Sequence, residues 1–505
     1  MLKLVLLVSL GAANAYVWPS PQLDALEALR WDQDRNGITG LVQPCDFFIF
    51  GPANSGRSNA ADWIRTAYHD MATHNSTDGT GGMDASIRFT EEQARPEDIG
   101  DGFSNSVAVL QAVSTRYISI ADTLAVGLIL AVENCGGPEI AFRGGRVDAV
   151  EPNIPGVPEP QQDLDSHIAS FSRQGFTQTE MIGLVACGHT MGGVQHDPFP
   201  DIVPELNDPN STESVVHFDS THVNFDNNIA IEYIAGTTKN PLVVGFNDTT
   251  NSDKRIFGSD GNATMQSFAN SPDLFASTCA DLLGRMVDTV PAGVQLTDVI
   301  TPLPVKPAKL QLLFVGDTNT IQFSGEVRLW DLAEGANPID SVVTVSGGRH
   351  TATWYIFDHI ATPALAALDA AAGITSIHYT VDNKLEDQDG VGFAVADDVM
   401  FSTSSCFTSD TGSEATGIFH IAVRAGVDPT RVYLEQPTRD SVGRPTTSEI
   451  GLTPPTQPDS NATYVIWSIQ MPLVFTAFTV GAEIDGVKVT RGVLTSMIEF
   501  DQCPT

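Results

Sequence analysis

The sequence predicts a multidomain protein in which a mostly α-helical domain precedes an all-β, sandwich-like domain. Between about residues 20 and 290, apolar residues recur at helical spacing, as in the run IADTLAVGLILAVENCGG at 120–137. The stretch 291–309 contains four prolines, which favours an extended linker over a helix. We therefore expect a helical domain at 16–290, a linker at 291–309 and a β domain at 310–505.

Short runs of β-branched and aromatic residues, separated by turn residues, carry the prediction for the C-terminal region. Such runs in close succession are typical of a β-sandwich. The sequence contains eight of them, namely LQLLFVG, TIQFSGEVRLW, DSVVTVSG, TATWYIF, SIHYTVD, FHIAVRA, TYVIWSIQ and VKVTRGVL.

Composition and charge exclude several classes of protein. The chain has 505 residues with 26 basic and 62 acidic side chains, so its formal net charge is −36. Such a charge repels nucleic acid and anionic lipid. The sequence contains no run of about 18 uncharged apolar residues that could span a bilayer. We expect neither a nucleic-acid partner nor a membrane span.

The N-terminus predicts secretion. Residues 1–15, MLKLVLLVSLGAANA, combine one Lys, a short apolar run and the small-x-small pattern of a signal peptide. In an oxidising compartment the six cysteines become disulfide partners, and six cysteines allow 15 pairings. Glycosylation triplets agree with that route. They begin at Asn75, Asn210, Asn247, Asn262 and Asn461.

The first candidate site lies in ADWIRTAYHDMATHNSTDGTGGMDASIRF at 61–89. If its first part is helical, Arg65 and His69 stand at i and i+4 on one face, where a cation and a neutral base share a pocket. An arbitrary pair at this spacing is most often an ordinary surface pair, but oxygen ligands of the kind that Ca²⁺ prefers follow closely. These are Asp70, the Gly82 carbonyl, Asp84 and Ser86.

The second candidate site surrounds VACGHTMGG at 185–193. We predict an apolar helix that is capped by Thr179 and ends near His189. A histidine between small residues is commonly a satisfied core residue, and otherwise a metal ligand whose small neighbours admit a flat cofactor. The stretch FDSTHVNFDNN at 218–228 then offers calcium-type oxygen ligands again. These are Asp219, Thr221, the Asn224 carbonyl and Asp226, with Thr190 beside the histidine.

Together these stretches resemble the secreted fungal haem peroxidases, the class II group of the plant, fungal and bacterial peroxidase superfamily. The likeness covers about residues 30–290. It rests on R-x-x-[aromatic]-H-D, G-x-D-x-S, NCGGPEIAFRGGRVDA, the His-Thr pair of the second site, FDST…FD and the Ser259-Asp260 pair. The resemblance implies haem b, hydrogen peroxide as the oxidant and two structural Ca²⁺ ions. We expect a secreted monomer.

The resemblance also assigns a role to each candidate residue. It implies that His69 is the distal acid–base residue with Arg65 as its partner. His189 becomes the axial iron ligand, and Asp260 accepts the hydrogen bond from the other ring nitrogen of that ligand. The implied distal calcium ligands are Asp70, Gly82, Asp84 and Ser86, and the proximal ones are Thr190, Asp219, Thr221, Asn224 and Asp226.

The implied roles agree with the chemistry of these side chains. A neutral His69 can take a proton from hydrogen peroxide and return it to the leaving oxygen. Arg65 stabilises the negative charge that develops as the O–O bond breaks. A carboxylate on the axial imidazole makes that ligand more anionic.

Other positions depart from the family pattern or extend it. Where many relatives hold the distal histidine with an Asn, this sequence has Asp98 in RPEDIGD. Asp122 and Arg146 resemble the family's buried structural ion pair and receive no catalytic role. The resemblance implies a Cys45–Cys135 disulfide, whereas Cys187–Cys279 and Cys406–Cys503 are guesses that complete the set.

The predicted substrate range rests on the residues that stand at the substrate-binding positions of the related peroxidases. Manganese-oxidising relatives gather three carboxylates near a haem propionate, and those places hold Ser58, Asp62 and Gln195 here. A shift in alignment could bring in Asp197, which still leaves at most two carboxylates. Leu184 stands where ligninolytic relatives expose a Trp. We therefore predict one-electron oxidation of small organic donors, above all phenols, with weak or no turnover of Mn²⁺.

A rival hypothesis is a haem-containing wall-attached or carbohydrate-binding protein with vestigial peroxidase activity, in which the β domain carries the function. That domain contains Trp330, Trp354 and Trp467, but Trp at strand spacing is more often core than a carbohydrate platform. Every haem-site residue that the resemblance implies is present, which favours the enzyme.

Overall fold

In the computed structural model the chain forms two compact units. The first comprises Ala28–Ser114 and Ile118–Thr301, and the second comprises the residues from Pro302 onward with Thr115–Tyr117 and the residues that end at Glu27. The predicted signal peptide at 1–15 and the triplet at Asn461 lie outside the described residues. The structure describes residues 20–32, 38–330, 342–347, 350–357, 368–381, 384–386, 392–408, 416–456, 462–472, 478–494 and 502–503.

The first unit is mostly helical, as predicted. A short antiparallel ribbon pairs β1 (Gly193–Gln195) with β2 (Val215–His217). The α-helices of the chain are α1 (Pro21–Trp31), α2 (Asn59–Met71), α3 (Thr90–Gln93), α4 (Gly102–Leu110), α5 (Ile120–Asn134), α6 (Leu164–Arg173), α7 (Gln178–Gly188), α8 (Asn228–Ala235), α9 (Ser252–Phe257), α10 (Ala263–Asn270) and α11 (Pro272–Val287).

Helix α5 forms the centre of this unit, and α2 packs against it. Every side chain of α5 from Ile120 to Val132 is buried, which explains its continuous apolar sequence. Gly127 allows α4 to approach α5 closely, because a β-carbon there would lie 2.8 Å from the side chain of Leu110; the ring of Trp63 on α2 lies at an ordinary van der Waals distance of 3.4 Å from the same point. Packing against α5 fixes the position of α2, the helix that carries Arg65 and His69.

Helix α7 begins earlier than the sequence prediction placed it. Its cap is Thr177, whose side chain accepts a hydrogen bond from the Glu180 N–H, while the Glu180 carboxylate accepts one from the Thr177 N–H. This reciprocal pair is a capping box, and it satisfies two amide groups that the first turn leaves without partners. The predicted cap Thr179 was wrong, because this residue lies within the first turn of the helix.

Three disulfides and one buried ion pair match the predictions. The disulfides Cys45–Cys135, Cys187–Cys279 and Cys406–Cys503 are all confirmed. Arg146 and Asp122 lie 2.9 Å apart (Nη1 to Oδ1), and both side chains are almost completely buried. Arg146 also donates to the Val287 carbonyl, so the pair holds the end of α11 in place.

The predicted linker packs along the first unit for much of its length. The N–H groups of Ala292, Thr297 and Ile300 donate to carbonyl oxygens of Gly79, Gly144 and Phe142. The last part of the predicted linker differs from the expectation, because residues 305–309 already belong to the first strand of the second unit. Prolines 291, 302 and 304 account for the irregular part, since Pro supplies no N–H for a ladder.

The second unit is built mainly of strands, and the described part of each of the eight predicted runs overlaps them, while residues 340–341 and 382 of these runs lie outside the described residues. The structure adds strands that the sequence analysis missed, among them Arg431–Arg439, whose internal Pro and polar residues hide the alternation. The strands are β3 (Val305–Val315), β4 (Thr320–Trp330), β5 (Val342–Gly347), β6 (His350–Phe357), β7 (Leu368–Asp369), β8 (Ser376–Ile377), β9 (Tyr379–Val381), β10 (Lys384–Glu386), β11 (Phe393–Ala394), β12 (Val399–Ser402), β13 (Cys406–Thr408), β14 (Thr416–Arg424), β15 (Arg431–Arg439), β16 (Pro445–Gly451), β17 (Tyr464–Pro472), β18 (Phe478–Ile484) and β19 (Val487–Leu494).

Two sheets contain most of these strands. The larger runs β13-β14-β12-β3-β4-β6-β5, with β17 paired to β14 and β7 to β4, and the smaller runs β16-β15-β18-β19. One hydrophobic cluster contains Phe401 and Ile421 of the larger sheet together with Leu434 and Val480 of the smaller one. Trp467 packs against this cluster, which agrees with a core role for that residue.

A buried ion cluster lies beside the larger sheet within the second unit. The Glu27 carboxylate accepts a hydrogen bond from Lys306 at 2.6 Å and a second one from Arg328. All three side chains are nearly inaccessible, so each charge depends on the others for compensation. Across the described part of the chain, no helix is long and apolar enough to cross a membrane.

Candidate functional site

A cavity of about 610 Å³ in the first unit is lined by Arg65, His69 and His189. Its volume lies within the range of cofactor sites. The structure therefore brings together the three residues that the sequence analysis selected from two distant segments. Gly188 and Gly192, the small neighbours of His189, also line the cavity.

His69 is fixed by a buried carboxylate. Its Nδ1 lies 2.6 Å from Oδ1 of Asp98, which ends a short 3₁₀ helix and is 2% exposed. Asp98 therefore occupies the position that the sequence analysis suggested. Burial lowers the pKa of His69 to about 4, and although Asp98 opposes this shift, the charges of Arg65 and His189 add to it. His69 is consequently a neutral base at pH 7 whose Nδ1 is already engaged.

Arg65 lies one turn before His69 on α2. Its guanidinium stands 4.3 Å from the ring centre of Phe103 and 5.6 Å from that of Phe199, and one N–H donates to the Ile99 carbonyl at 3.2 Å. When a guanidinium stacks on an aromatic ring, its N–H groups point outward in the plane of the guanidinium and remain able to donate hydrogen bonds. The side chain is thus held as a fixed cation at the cavity wall.

His189 is also held by a buried carboxylate, but this carboxylate is not the predicted one. Its Nδ1 lies 2.9 Å from Oδ2 of Asp253, a residue of α9 whose side chain is 1% exposed. The same oxygen accepts a hydrogen bond from Asn240 at 2.8 Å. The ring of Phe218 stacks on the imidazole at 4.2 Å with an angle of 10° between the planes.

The prediction that Asp260 binds His189 is wrong. The Asp260 carboxylate instead accepts hydrogen bonds from the N–H groups of Ala263 and Thr264, and so caps α10. Two Ser-Asp pairs lie close together, at 252–253 and 259–260, and a signal for the correct one was present. Buried Ile256 and Phe257 follow Asp253 by three and four residues, which places that carboxylate on a helix turned toward the core.

The residues on this side of the cavity fit a haem iron. A neutral imidazole whose Nδ1 donates to a carboxylate is a well-suited axial ligand, because the carboxylate fixes the tautomer and raises the basicity of the other nitrogen. Oδ1 of Asp253 is buried and has no hydrogen-bond partner among the described residues. The carboxylate is therefore committed to His189 and Asn240 alone within that part of the chain.

The predicted proximal calcium ligands lie together in one loop. Thr221 donates its backbone N–H to Oδ1 of Asp219 (2.9 Å) and its hydroxyl to Oδ1 of Asp226 (3.0 Å), while Thr190 donates to the Asp226 carbonyl (2.6 Å). Asn224 lies in the same turn, with its N–H bonded to the Thr221 carbonyl.

One buried carboxylate oxygen of this loop is available to bind a cation. Oδ2 of Asp219 is buried and has no hydrogen-bond partner within the described residues. Burial raises the pKa of Asp219 to about 7, and the nearby Asp226 and Glu232 add to the rise. No group of three or more His, Cys, Asp or Glu side chains suited to a metal occurs in the described ranges. The loop instead offers two carboxylates with hydroxyl and carbonyl oxygens, a donor set that fits Ca²⁺.

The predicted distal calcium ligands are also close together, but they have other partners. The Asp70 carboxylate accepts three backbone N–H groups, and Asp84 and Ser86 both accept hydrogen bonds from the side chain of Asn153. The kinds of oxygen are the same as in the proximal loop, but here these oxygens already accept hydrogen bonds from within the protein.

Arg57, a residue that the sequence analysis missed, gathers three carboxylates at the cavity wall. Its guanidinium contacts Asp101 at 2.7 Å, Asp62 at 3.0 Å and Glu213 at 3.3 Å. Gln195 donates to Glu213 at 2.7 Å. These contacts join residues from three distant segments of the chain, so no local pattern could have indicated them.

Comparison with known proteins agrees with this geometry. A family model described as peroxidase matches residues 51–271. A WSC domain-containing protein of Arthroderma benhamiae is 39% identical over 343 residues, which cover 67% of this chain and 46% of the relative. The peroxisomal L-ascorbate peroxidase 5 of Arabidopsis thaliana is 31% identical over 36% of this chain and 61% of its own length. Manganese peroxidase 2 of Phlebia radiata is 26% identical over 62% of this chain and 85% of its own length.

The extent of these matches differs between the two units. The Arthroderma match covers 67% of the chain, which is more than the part that precedes Pro302, so it continues into the second unit. The chain spans only about half the length of the first relatives that it matches. The family match coincides with the segment that carries Arg65, His69, His189 and Asp253. Residues 51–271 therefore belong to the peroxidase superfamily.

Proposed function

We propose that the protein is a secreted haem peroxidase that reduces hydrogen peroxide to water and oxidises small organic donors, above all phenols, in one-electron steps. The observation that carries the proposal is the pair of histidines on one cavity, each with a buried carboxylate on Nδ1. Haem b bound through His189 would supply the redox chemistry that no side chain here provides.

The distal residues have the properties that peroxide cleavage requires. His69 is neutral at pH 7, so it can accept a proton from bound hydrogen peroxide and return it to the leaving oxygen. Because Asp98 accepts from Nδ1, the other ring nitrogen is the one that carries the proton across the cavity. Arg65, held against Phe103, stabilises the negative charge that develops as the O–O bond breaks.

The proximal residues have the properties of an axial ligand and its support. Asp253 fixes the tautomer of His189 and increases the negative character of the ring, which favours higher oxidation states of a bound iron. Phe218 stacks on the same ring and restricts its rotation. Calcium in the loop of Asp219 and Asp226 would brace Thr190, the residue directly after the ligand.

The cavity wall argues for organic donors and against Mn²⁺. Asp62 and Glu213 both face the guanidinium of Arg57, which supplies the positive charge that a metal ion would bring. Ser58 caps α2 through its hydroxyl, and Gln195 is a neutral donor to Glu213. Leu184, at the place of the exposed Trp of ligninolytic relatives, is buried. Small donors would therefore react at the open edge of the cofactor.

Several features outside the cavity agree with an extracellular enzyme. Three disulfides stabilise domains in oxidising compartments. Asn210 and Asn262 are exposed and suited to glycosylation, while Asn75 and Asn247 are half-buried. The second unit would be a β-sandwich, since one hydrophobic cluster contains residues of both sheets. No ligand is assigned to it, because Trp467 packs in this core.

The purified protein with haem should change its absorption spectrum when hydrogen peroxide is added and should oxidise a simple phenol. His69→Ala should retain haem but react with peroxide about 10²–10⁴ times more slowly, the range that general acid–base catalysis contributes. His189→Ala should hold haem weakly. His420→Ala, which removes a histidine of the second unit, serves as the control. A parent protein that shows no spectral response, or a His69→Ala variant that reacts at the parental rate, would refute the proposal.

Asp253→Asn should weaken the proximal support, because an amide no longer draws the Nδ1 proton of His189 as strongly. We expect a more positive haem reduction potential and about 10–100-fold lower activity, the range known for partners of metal ligands. Asp260→Asn is the matched control and should leave both quantities unchanged. Potentiometric titration of the two variants decides between the carboxylates, and equal shifts would contradict the assignment.

The rate of the reaction with peroxide should be constant from pH 8 down to about 5. A lowered pKa means that His69 stays neutral until the pH falls toward 4, so the rate should decline only there. Asp98→Asn removes a charge that raises this pKa and should move the midpoint to still lower pH. Glu97→Gln, a change at the neighbouring carboxylate, should not move it. Stopped-flow rates against pH test this, and a parental midpoint near 6.5 would contradict it.

Arg57→Ala should create a site for Mn²⁺. Without the guanidinium, the carboxylates of Asp62, Asp101 and Glu213 would remain together with no positive partner at their centre, and Mn²⁺ prefers such oxygen ligands. We expect Mn²⁺ to bind at least about tenfold tighter than to the parent, which corresponds to roughly 1.4 kcal/mol. Arg57→Lys keeps a cation and should behave like the parent. Calorimetric Mn²⁺ titration measures this, and saturable Mn²⁺ oxidation by the parent would overturn the interpretation.

A further inference from the structure

The group of residues predicted to bind a distal calcium is already satisfied by the protein itself. Oδ2 of Asp70 accepts the N–H groups of Asp84 (3.0 Å) and Ala85 (2.8 Å), and Oδ1 accepts that of Ile87 (3.1 Å). Three backbone donors therefore engage both oxygens of the carboxylate. Oδ2 is thereby saturated by two donors, so a metal ion would have to use the second acceptor position of Oδ1.

The side-chain amide of Asn153 stands where the remaining oxygen atoms converge. Its Nδ2 lies 2.9 and 3.1 Å from the two carboxylate oxygens of Asp84, 2.9 Å from Oγ of Ser86 and 3.2 Å from Oγ1 of Thr73. A Ca²⁺ ion binds such oxygens at 2.3–2.6 Å and would have to occupy the same space as this nitrogen.

Asn153 is held firmly in that position by its backbone. Its N–H donates to Oε1 of Glu92 at 2.5 Å, and its carbonyl accepts a hydrogen bond from Arg95. Arg95 also lies 3.7 Å from Oε2 of Glu92, so the arginine compensates part of the buried negative charge nearby. The amide thus has a fixed support, and a cationic side chain stands behind it.

The proximal loop provides the contrast. There Oδ2 of Asp219 is buried without a hydrogen-bond partner among the described residues, and no amide nitrogen of that part of the chain engages it. On the distal side, by comparison, the oxygens of Asp70, Asp84 and Ser86 all accept hydrogen bonds. The two predicted ion sites therefore differ at one oxygen: within the described residues Oδ2 of Asp219 has no hydrogen-bond partner, whereas each carboxylate oxygen of Asp70 and Asp84 has at least one.

We propose that the side-chain amide of Asn153 replaces the distal cation, so that the protein binds one calcium ion, in the proximal loop, and not two. A neutral amide supplies two N–H donors to the oxygens that would otherwise require a metal ion. The distal helix α2 would then keep its structure without calcium, and chelation would act on the proximal side alone. The inference concerns ion binding and stands apart from the proposed peroxidase activity.

The test is the calcium content of the purified holoprotein and three variants, measured by elemental analysis after dialysis against Ca²⁺ and by calorimetric titration after chelation. The parent should bind one ion per chain, and Asp219→Ala should bind none. Asn153→Asp, which places a carboxylate beside Asp84 with almost no change in size, should bind two. Asn153→Ala should gain a second, weaker ion.

The outcomes separate cleanly. Two ions in the parent, no ion in the parent, or one ion retained by Asp219→Ala would overturn the proposal. Asn153→Asp with no second ion would show that the amide is not the group that excludes calcium. Circular dichroism and haem absorbance confirm that each variant is folded before its ions are counted. Loss of peroxidase activity in the parent would not affect the ion count, so failure of the proposed function and failure of this inference are distinguishable.

Discussion

The active cavity depends on a single arrangement used twice, in which a buried carboxylate accepts a hydrogen bond from Nδ1 of a histidine. Asp98 holds His69 and Asp253 holds His189, at 2.6 and 2.9 Å. The same bond has opposite uses on the two sides. In the proposed function the bond on His69 would orient a base that must release its proton again, whereas the bond on His189 would strengthen a ligand that must not dissociate. Packing of α2 against α5 holds the helix that carries His69 in position.

A chain with a net charge of −36 has many more carboxylates than cationic side chains, and in this structure several buried carboxylates are compensated by donors of the chain itself. Arg57 lies among three carboxylates, Lys306 and Arg328 share Glu27, and an amide engages Asp84. Each arrangement occupies a position that a soluble cation could otherwise take. Asp219 differs from these three arrangements, because its buried Oδ2 has no hydrogen-bond partner among the described residues.

The sequence was sufficient to predict those features that depend on a single continuous segment of the chain. The spacing of Arg65 and His69, the apolar run of α5 and the eight strand runs are local patterns, and the structure contains them all. The site of Asp253 was missed although a local signal existed, because a second Ser-Asp pair follows seven residues later. Arg57 could not have been found, since its partners come from three segments and only the folded chain brings them together.

The two disulfides of the first unit each enclose the residues of one side of the cavity, and this constrains the unfolded chain. Cys45–Cys135 encloses the distal residues from Arg57 to Asp98, and Cys187–Cys279 encloses the proximal ones from His189 to Asp253. Each loop is about 90 residues long. In the chain-entropy model each disulfide lowers the entropy of the unfolded chain, which raises its free energy by roughly 4–5 kcal/mol. An oxidised chain that loses its structure thus keeps each half of the cavity within a short tether. It can reassemble each half by local search, whereas a reduced chain must search over its whole length.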